Sequence, residues 1–262
     1  MKKSQWPRKP YRIRKKRYFL KNKFSLSFIL ILILLGLVSY LFIFHQFFQV
    51  KEIKISGSQK VLAIDIKNFI EKEINKKLLF VSSKSIFLVN EKALKNSLLR
   101  EFPKIGKIVL KRRLPAELVV SLEDRKPIAN WCLEEKCFLI DKEGIIFEPG
   151  LLSSFPFIRT ENLSQGVALG KKIIDGSALQ SILDIQKKFE EIKITIKEFS
   201  LFPEKLIVKT SENWEAFFDQ KENISQQLFN LGLVLEKQIP LEKRGILDYI
   251  DLRFSKIYYK YR

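Results

Sequence analysis

Residues that could do chemistry are few in this chain of 262 residues. His45 is the only histidine and borders a long apolar run, which leaves no Ser-His or Cys-His pair and no His-rich metal cluster. No serine is followed three residues later by lysine, and neither G-x-x-x-x-G-K nor G-x-G-x-x-G occurs. Carboxylate pairs such as Asp248 with Asp251, or Glu134 with Glu135, act as acid and base only in a cleft with separated pKa values. We therefore expect no catalytic, metal-binding or cofactor-binding residues, with an enzyme as the alternative.

The two cysteines, Cys132 and Cys137, flank the sequence LEEK. If Glu134 and Glu135 form a two-residue hairpin turn, the cysteines lie directly opposite each other, at the short separation that a cross-strand disulfide needs. A C-x-x-C redox motif would have two residues between the cysteines, and no further Cys or His completes a tetrahedral metal site. We predict a structural disulfide, with free buried thiols as the alternative.

The chain ends in GILDYIDLRFSKIYYKYR, where apolar and polar residues alternate as they do in two short strands. The second strand would be the edge of a sheet, and an unpaired edge is usually blunted by charge, proline or a covering loop. This strand is rich in tyrosine, which suits a protein interface because it buries much area with few rotatable bonds. Two explanations stay open: the edge docks a partner, or the tyrosines cover a neighbouring helix.

The charge of the chain is concentrated at its beginning. Residues 1–23 contain eleven of the 48 basic residues and no acid, and 21 uncharged residues follow from Phe24 to Phe44. A helix of that length matches the hydrocarbon core of a bilayer. A cleaved signal peptide is the rival, but its apolar region would be shorter and a small-residue cleavage site would follow. We predict a basic cytoplasmic tail at 1–23 and a transmembrane helix at 24–45.

The positive-inside rule places the N-terminus in the cytoplasm and the bulk of the chain outside it. A block of eleven cations could bind nucleic acid. Beside a membrane span it more often fixes topology and contacts anionic lipid headgroups. We expect the tail to contact membrane lipid, with no nucleic acid and no small-molecule substrate bound.

The part after the span is predicted to be α+β, in two domains. Residues 47–124 show the order strand, helix, helix, strand, strand, which is typical of a small sheet covered on one face by helices. The predicted first strand is FFQVKEIKI, and Asn90 is the predicted N-cap of the second helix. Residues 125–262 are rich in strand patterns, with two helices that would cover a larger sheet.

This layout resembles the FtsQ/DivIB family of bacterial cell-division proteins, from the first residue to the last. FFQVKEIKISGSQKV is similar to the first strand of the family's POTRA domain, a polypeptide-transport-associated module, and DYIDLRF resembles the family's penultimate strand. One hairpin near Trp214 looks shortened against the family, and the long polar tail of some members is missing. Residues in the expected order are Arg112, Pro115, Glu123, Arg125, Pro127, Trp131, and an Asp-x-x-Gly turn at Asp141 and Gly144.

The resemblance implies a non-catalytic divisome scaffold in the cytoplasmic membrane, located at the midcell septum. It implies a POTRA domain at 47–124, an FtsQ-type β domain at 125–262, and partners of the FtsB and FtsL type that add a strand to the terminal sheet edge. The Ile53–Gly57 edge of the POTRA domain would contact other division proteins. The alternative is a POTRA-bearing secretion or chaperone component that binds extended polypeptides. The partner-binding residues implied by the resemblance are Arg253, Phe254, Ile257, Tyr258, Tyr259 and Tyr261.

Overall fold

The computed structural model describes residues 23–78, 81–160 and 167–262. Residues 1–22 of the predicted basic tail lie outside the described residues, as do residues 161–166 of a segment that the sequence predicts to be a loop. The architecture is mixed α and β, with one apolar helix at the N-terminus followed by helices packed on sheets. The predicted α+β fold class is therefore confirmed.

The first helix, α1, runs from Lys23 to Phe44. Its residues Leu26–Phe44 have a mean hydropathy of 2.8 and are not buried against the rest of the chain, so the helix is long and apolar enough to cross a bilayer. A 3-10 turn follows at Gln46–Phe48, capped by His45, whose Nδ1 accepts from the backbone N–H of Phe47. The predicted strand over 47–55 is therefore wrong at its start, because Phe47 and Phe48 lie in this turn, where the ring of Phe48 packs on Phe42 at the end of α1.

A three-stranded sheet with the order β1-β5-β4 follows the helix, and β1 pairs in parallel with β5. Helices α2 and α3 cover one face, with Ile66, Ile70, Leu94 and Leu98 buried. Asn90 caps α3 as predicted, since its side chain accepts from the N–H of Ala93. A small hairpin, β2-β3, is added between the helices. The elements are β1 Glu52–Ser56, α2 Ala63–Ile74, β2 Lys76–Leu78, β3 Val81–Ser83, α3 Glu91–Glu101, β4 Ile105–Arg113 and β5 Glu117–Asp124.

A nine-stranded sheet forms the rest of the chain, in the order β14-β13-β12-β11-β10-β9-β6-β7-β8. Its elements are β6 Ala129–Leu133, β7 Lys136–Ile140, β8 Ile146–Pro149, β9 Phe157–Thr160, α4 Gly176–Glu191, β10 Ile196–Leu201, β11 Lys205–Thr210, β12 Glu215–Asp219, α5 Ile224–Lys237, α6 Leu241–Arg244, β13 Leu247–Asp251 and β14 Tyr258–Tyr261. Helices α4 and α5 contribute Leu179, Ile182, Leu231 and Val234 to the core on one face of this sheet.

Strand β9 was not identified in the sequence, although it lies in the middle of the sheet. It is only four residues long and pairs in parallel with both β6 and β10. A strand this short shows too few alternations to be recognised, and its place is decided by the two longer strands beside it.

Buried apolar side chains form two clusters. One contains side chains of α2, α3 and the three-stranded sheet, and the other contains side chains of α4, α5 and the nine-stranded sheet. Polar contacts join the two parts: the guanidinium of Arg125 pairs with Asp141, and both side chains are buried. Glu148 on β8 accepts from Lys104 at 2.9 Å and from Lys60 at 3.4 Å. These ion pairs hold the three-stranded sheet beside the β8 side of the larger one.

Candidate partner-binding site

The last strand, β14, is at the end of the nine-stranded sheet. It pairs antiparallel with β13, and within the described part of the chain no strand pairs with its outer side. We call this outer side of Tyr258–Tyr261 the open edge. In an antiparallel strand alternate residues direct their backbone N–H and C=O outward, so the open edge offers unpaired donors and acceptors.

The side chains of β14 divide between the two faces of the sheet. Tyr259 lies opposite the buried Ile250, on the face that carries the helices, and its ring contacts that of Tyr261 at 5.7 Å. Tyr261 and the nearby Ile257 are partly buried against the main core. Tyr258 lies opposite Asp251, on the other face, and is 54% exposed.

The turn between β13 and β14 is held by one charged pair. Arg253 donates from Nε and from a terminal nitrogen to the two oxygens of Asp251, at 2.9 and 2.7 Å, and its backbone N–H also donates to that carboxylate. Burial by itself would raise the pKa of Asp251, but the hydrogen bonds and charge of Arg253 outweigh it and hold that pKa below its ordinary value. The same carboxylate raises the pKa of Arg253.

Around this turn an aromatic patch lies on the face of the sheet opposite the helices. The guanidinium of Arg253 lies 5.6 Å from the ring centre of Phe217 and 5.4 Å from that of Phe254. Phe217 stacks on Tyr249 at 5.4 Å, and Phe254 meets Tyr258 edge to face at 6.0 Å. We call these five residues the aromatic patch.

Two members of the aromatic patch, Phe217 and Tyr249, were missed in the sequence. The signal was present in the alternation of each strand. Phe217 lies on the same face of β12 as Glu215, and Tyr249 lies on the same face of β13 as Asp251. An aromatic residue on the polar side of an alternating strand indicates a face that is not covered by the core.

The six predicted partner-binding residues thus do not lie on one surface. Arg253, Phe254 and Tyr258 belong to the aromatic patch, and Tyr259, on the helix-covered face, is 37% exposed. Ile257 and Tyr261 instead pack against the main core, where the ammonium of Lys243 lies 6.0 Å from the ring centre of Tyr261.

A groove of about 320 Å³ lies beside the β13–β14 turn. Its walls come from the beginning of α5 and from the turn that carries Arg253 and Phe254. Asn223, Gln226 and Asn230 supply polar side chains on the helical wall. The groove therefore lies beside the beginning of β14, and its helical wall is polar.

The cysteines lie far along the sheet from this site. Cys132 on β6 is directly opposite Cys137 on β7, the two Cα atoms are 4.1 Å apart, and the sulfurs are bonded. This hairpin has the two-residue turn at Glu134 and Glu135. Among the described residues no group of three His, Cys, Asp or Glu side chains is placed to hold a metal ion.

One curated protein is similar to part of this chain. The cell division protein FtsQ of Rickettsia bellii (strain RML369-C) is 33% identical over 97 residues, which cover 37% of this chain and 33% of that protein. The matched part is therefore about a third of the relative's length. No family model matches the chain. The similarity is weak and partial, and it is consistent with a relation to FtsQ-like proteins.

Proposed function

We propose that this chain is a non-catalytic, membrane-anchored scaffold of the cell-division machinery, which binds its partners by adding a strand to the open edge. The partial similarity to FtsQ supports a role in cell division. The apolar helix α1 supports a single membrane span. The basic tail before it supports a cytoplasmic N-terminus, with both sheets on the other side of the membrane.

The observation that carries the proposal is the open edge itself. Within the described residues β14 has a paired inner side and an unpaired outer side. A strand from a partner would satisfy the outward N–H and C=O groups, and these main-chain hydrogen bonds would supply affinity independently of the partner's sequence.

Specificity would come from the side chains beside the edge. The exposed ring of Tyr258 and the neighbouring Phe254 form an apolar surface next to the outward backbone groups, and Arg253 adds a charge held in one orientation by Asp251. Aromatic and arginine side chains on a well-packed base are the residues that most often dominate binding energy.

Positive charge would keep the open edge from pairing with a second copy of itself. Lys256, Lys260 and Arg262 surround the strand, and Lys260 is only loosely paired, with Asp248 at 3.6 Å and both side chains exposed. Like charges that face each other across a new strand pair are unfavourable. We therefore propose a partner strand that is neutral or acidic.

The finer assignment follows the resemblance in the sequence. We propose a POTRA domain at 47–124, an FtsQ-type β domain at 125–262, and partners of the FtsB and FtsL type at the midcell septum. Two separate buried clusters support this division into two domains. One lies between α2, α3 and the three-stranded sheet, and the other lies between α4, α5 and the nine-stranded sheet.

The test is a binding measurement on the full-length protein with the FtsB-like and FtsL-like proteins of the same organism. Truncation before Ser255 is too coarse, because it would also remove Ile257 and Tyr261 from the core. The double variant Phe254→Ala/Tyr258→Ala instead removes two exposed rings. We expect it to weaken partner binding by at least about tenfold and to abolish recruitment to midcell.

The matched control is Phe229→Ala, which removes an aromatic ring that is 59% exposed on α5. It should leave binding unchanged. Circular dichroism and membrane fractionation would establish that both variants fold and insert. Equal binding by the wild type and the double variant would refute partner docking at the open edge.

A further inference from the structure

The C-terminal end of α1 is hydrogen-bonded to a segment of the chain that contains Ser83 and Ser85. The last carbonyls of a helix have no partner within it. Here the carbonyl of Phe42 accepts from the hydroxyl of Ser85 at 3.0 Å, and the carbonyl of Ile43 accepts from the hydroxyl of Ser83 at 2.7 Å. The side-chain amide of Gln49 also donates to Ile43, at 2.9 Å. Ser83 and Ser85 are both buried, so the segment that carries them is held against the helix end.

The same segment brings an aromatic ring to the helix. Phe87, in a short 3-10 turn at Ile86–Leu88, lies 5.4 Å from Phe42 and 5.3 Å from Phe48 between ring centres. Phe42 and Phe48 are themselves 4.9 Å apart. Phe42 belongs to the last turn of the apolar span, so Phe87 lies at the depth of that turn.

Three of these rings are only partly covered by the described part of the chain. Phe42 is 43% exposed, Phe47 is 54% exposed and Phe87 is 41% exposed. Phe42 is itself part of α1, whose apolar span is not buried against the described part of the chain. We call Phe42, Phe47, Phe48 and Phe87 the interfacial cluster.

The charges near the interfacial cluster suit a lipid headgroup layer. No acidic residue occurs from position 1 to 51 or from 74 to 90, while Lys51 and Lys84 flank the rings. Aromatic rings concentrate at the boundary between hydrocarbon and headgroups, and lysines nearby favour anionic lipid.

We propose that the turn at Ile86–Leu88 is a second lipid-contacting segment, which enters the outer boundary of the bilayer beside the end of α1. The inference rests on the membrane span of the proposed function. Its partner is the lipid surface, because the exposed rings continue the face of a helix that lipid would already surround. The protein then meets the membrane through two segments about 40 residues apart in the chain, and the three-stranded sheet is held in one orientation to the bilayer.

The test is depth-dependent fluorescence quenching of the full-length protein in vesicles of phosphatidylcholine and phosphatidylglycerol with brominated acyl chains. Trp6→Phe removes the one tryptophan of the N-terminal tail, and Trp131 and Trp214 stay as a buried background. Single tryptophans are then placed at Phe87 and, as a second reporter of the cluster, at Phe47.

Two further variants make the result decisive. Leu34→Trp reports the middle of α1, and Phe229→Trp reports an exposed site on α5, a helix that packs on the nine-stranded sheet. We expect Phe87→Trp and Phe47→Trp to lose most of their emission with bromine near the headgroup end of the chain. Leu34→Trp should be quenched most by deep bromine, and Phe229→Trp should not be quenched.

The experiment tests the membrane span of α1 and the second lipid contact separately. If Leu34→Trp is quenched while Phe87→Trp behaves like Phe229→Trp, the anchor stands and the second lipid contact is refuted. If neither Leu34→Trp nor Phe87→Trp is quenched, both are refuted. Quenching at Phe47 without quenching at Phe87 would also refute the proposal, because only the connection to α1 would then contact lipid.

Discussion

The two edge strands of the nine-stranded sheet, β8 and β14, differ in whether another segment of the chain covers their outer side. The outer side of β8, which we call the covered edge, meets the segment around Gly170: the N–H of Gly170 donates to Ile146 at 2.7 Å, and Ile146 donates to Lys171 at 3.0 Å. Lys60 and Lys104, in loops beside the three-stranded sheet, also pair with Glu148. The open edge at β14 has no such cover among the described residues.

The comparison shows that one edge of this sheet, at β8, is covered by another segment of the chain, while the edge at β14 is held in place without such a cover among the described residues. At β8 the outward N–H and C=O of Ile146 and the carboxylate of Glu148 have partners within the chain, and the ion pairs of Glu148 join the two sheets. At β14 Ile257 and Tyr261 hold the strand against the core, and no strand of the described part of the chain pairs with its outer side. An edge fixed in place on one side and exposed on the other is suited to binding an added strand.

The largest effect is expected from a change that breaks the covered edge. Gly144 has a φ of +75°, and a Cβ there would lie 2.0 Å from the carbonyl oxygen of Ile174. Gly144→Ala would push the covering segment away and strain the turn. We expect it to lower the free energy of unfolding by about 3 kcal/mol, or the Tm by roughly 10 °C, in the full-length protein in detergent.

The matched control is Gly232→Ala. Gly232 lies within α5, and nothing would contact its added Cβ, so alanine should stabilise the helix by about 0.5–1 kcal/mol. Below the melting temperature Gly144→Ala should still bind partners. A loss of partner binding in folded Gly144→Ala would mean that the two edges are coupled rather than independent.

An intermediate effect is expected at the disulfide hairpin, beside the covered edge. The bond between Cys132 and Cys137 closes a short loop, for which chain entropy predicts a stabilisation of about 2 kcal/mol. Cys132→Ser/Cys137→Ser, or reduction of the wild type, should lower the Tm and leave partner binding at the open edge as it was. A double variant that melts like the oxidised wild type would show that the bond does not contribute to stability.

The smallest effect concerns the ion pairs of the covered edge. Hydrogen bonds and charge from Lys104, then the charge of Lys60, hold the pKa of Glu148 below its ordinary value of 4.5 against the opposing effect of burial. A lowered folded-state pKa means that this stabilisation is present above pH 4.5 and is lost as the pH falls through the folded value. Glu148→Gln should therefore cost at most about 1 kcal/mol at neutral pH, and nothing in strong acid.

The control for this titration is Glu236→Gln, which removes the same charge from an exposed position on α5. Because Glu236 is exposed, its replacement should leave the Tm at neutral pH unchanged. A difference between the wild type and Glu148→Gln that persisted unchanged in strong acid would contradict an electrostatic origin.

Local patterns were sufficient for most elements of the fold. The helix stripes, the Asn90 cap, the cysteine hairpin turn and the terminal strand pair follow from spacing that each segment carries within itself. Other features were beyond such patterns. Strand β9 is recognisable only from its neighbours, and the turn at Gln46–Phe48 is stabilised by the ring of Phe48, which packs on Phe42 and Phe87.

The candidate site was predicted in part for the same reason. Alternation places Tyr258 and Tyr259 on opposite faces of a terminal strand, whatever that strand pairs with. The contact of Arg253 with Phe217 depends on which strands lie side by side, because β12 and β13 are neighbours although α5 and α6 separate them in the chain. A sequence pattern does not contain that order.

The sequence by itself therefore determined an apolar helix after a basic tail, an α+β chain after it, and a tyrosine-rich strand at the end. These are properties of hydrophobic period and charge within short windows. Only the tertiary structure decided that one edge of the large sheet is covered and the other open, and that Phe87 lies beside the end of α1. Such facts depend on contacts between segments far apart in the chain, where packing and backbone hydrogen bonding overrule local preference.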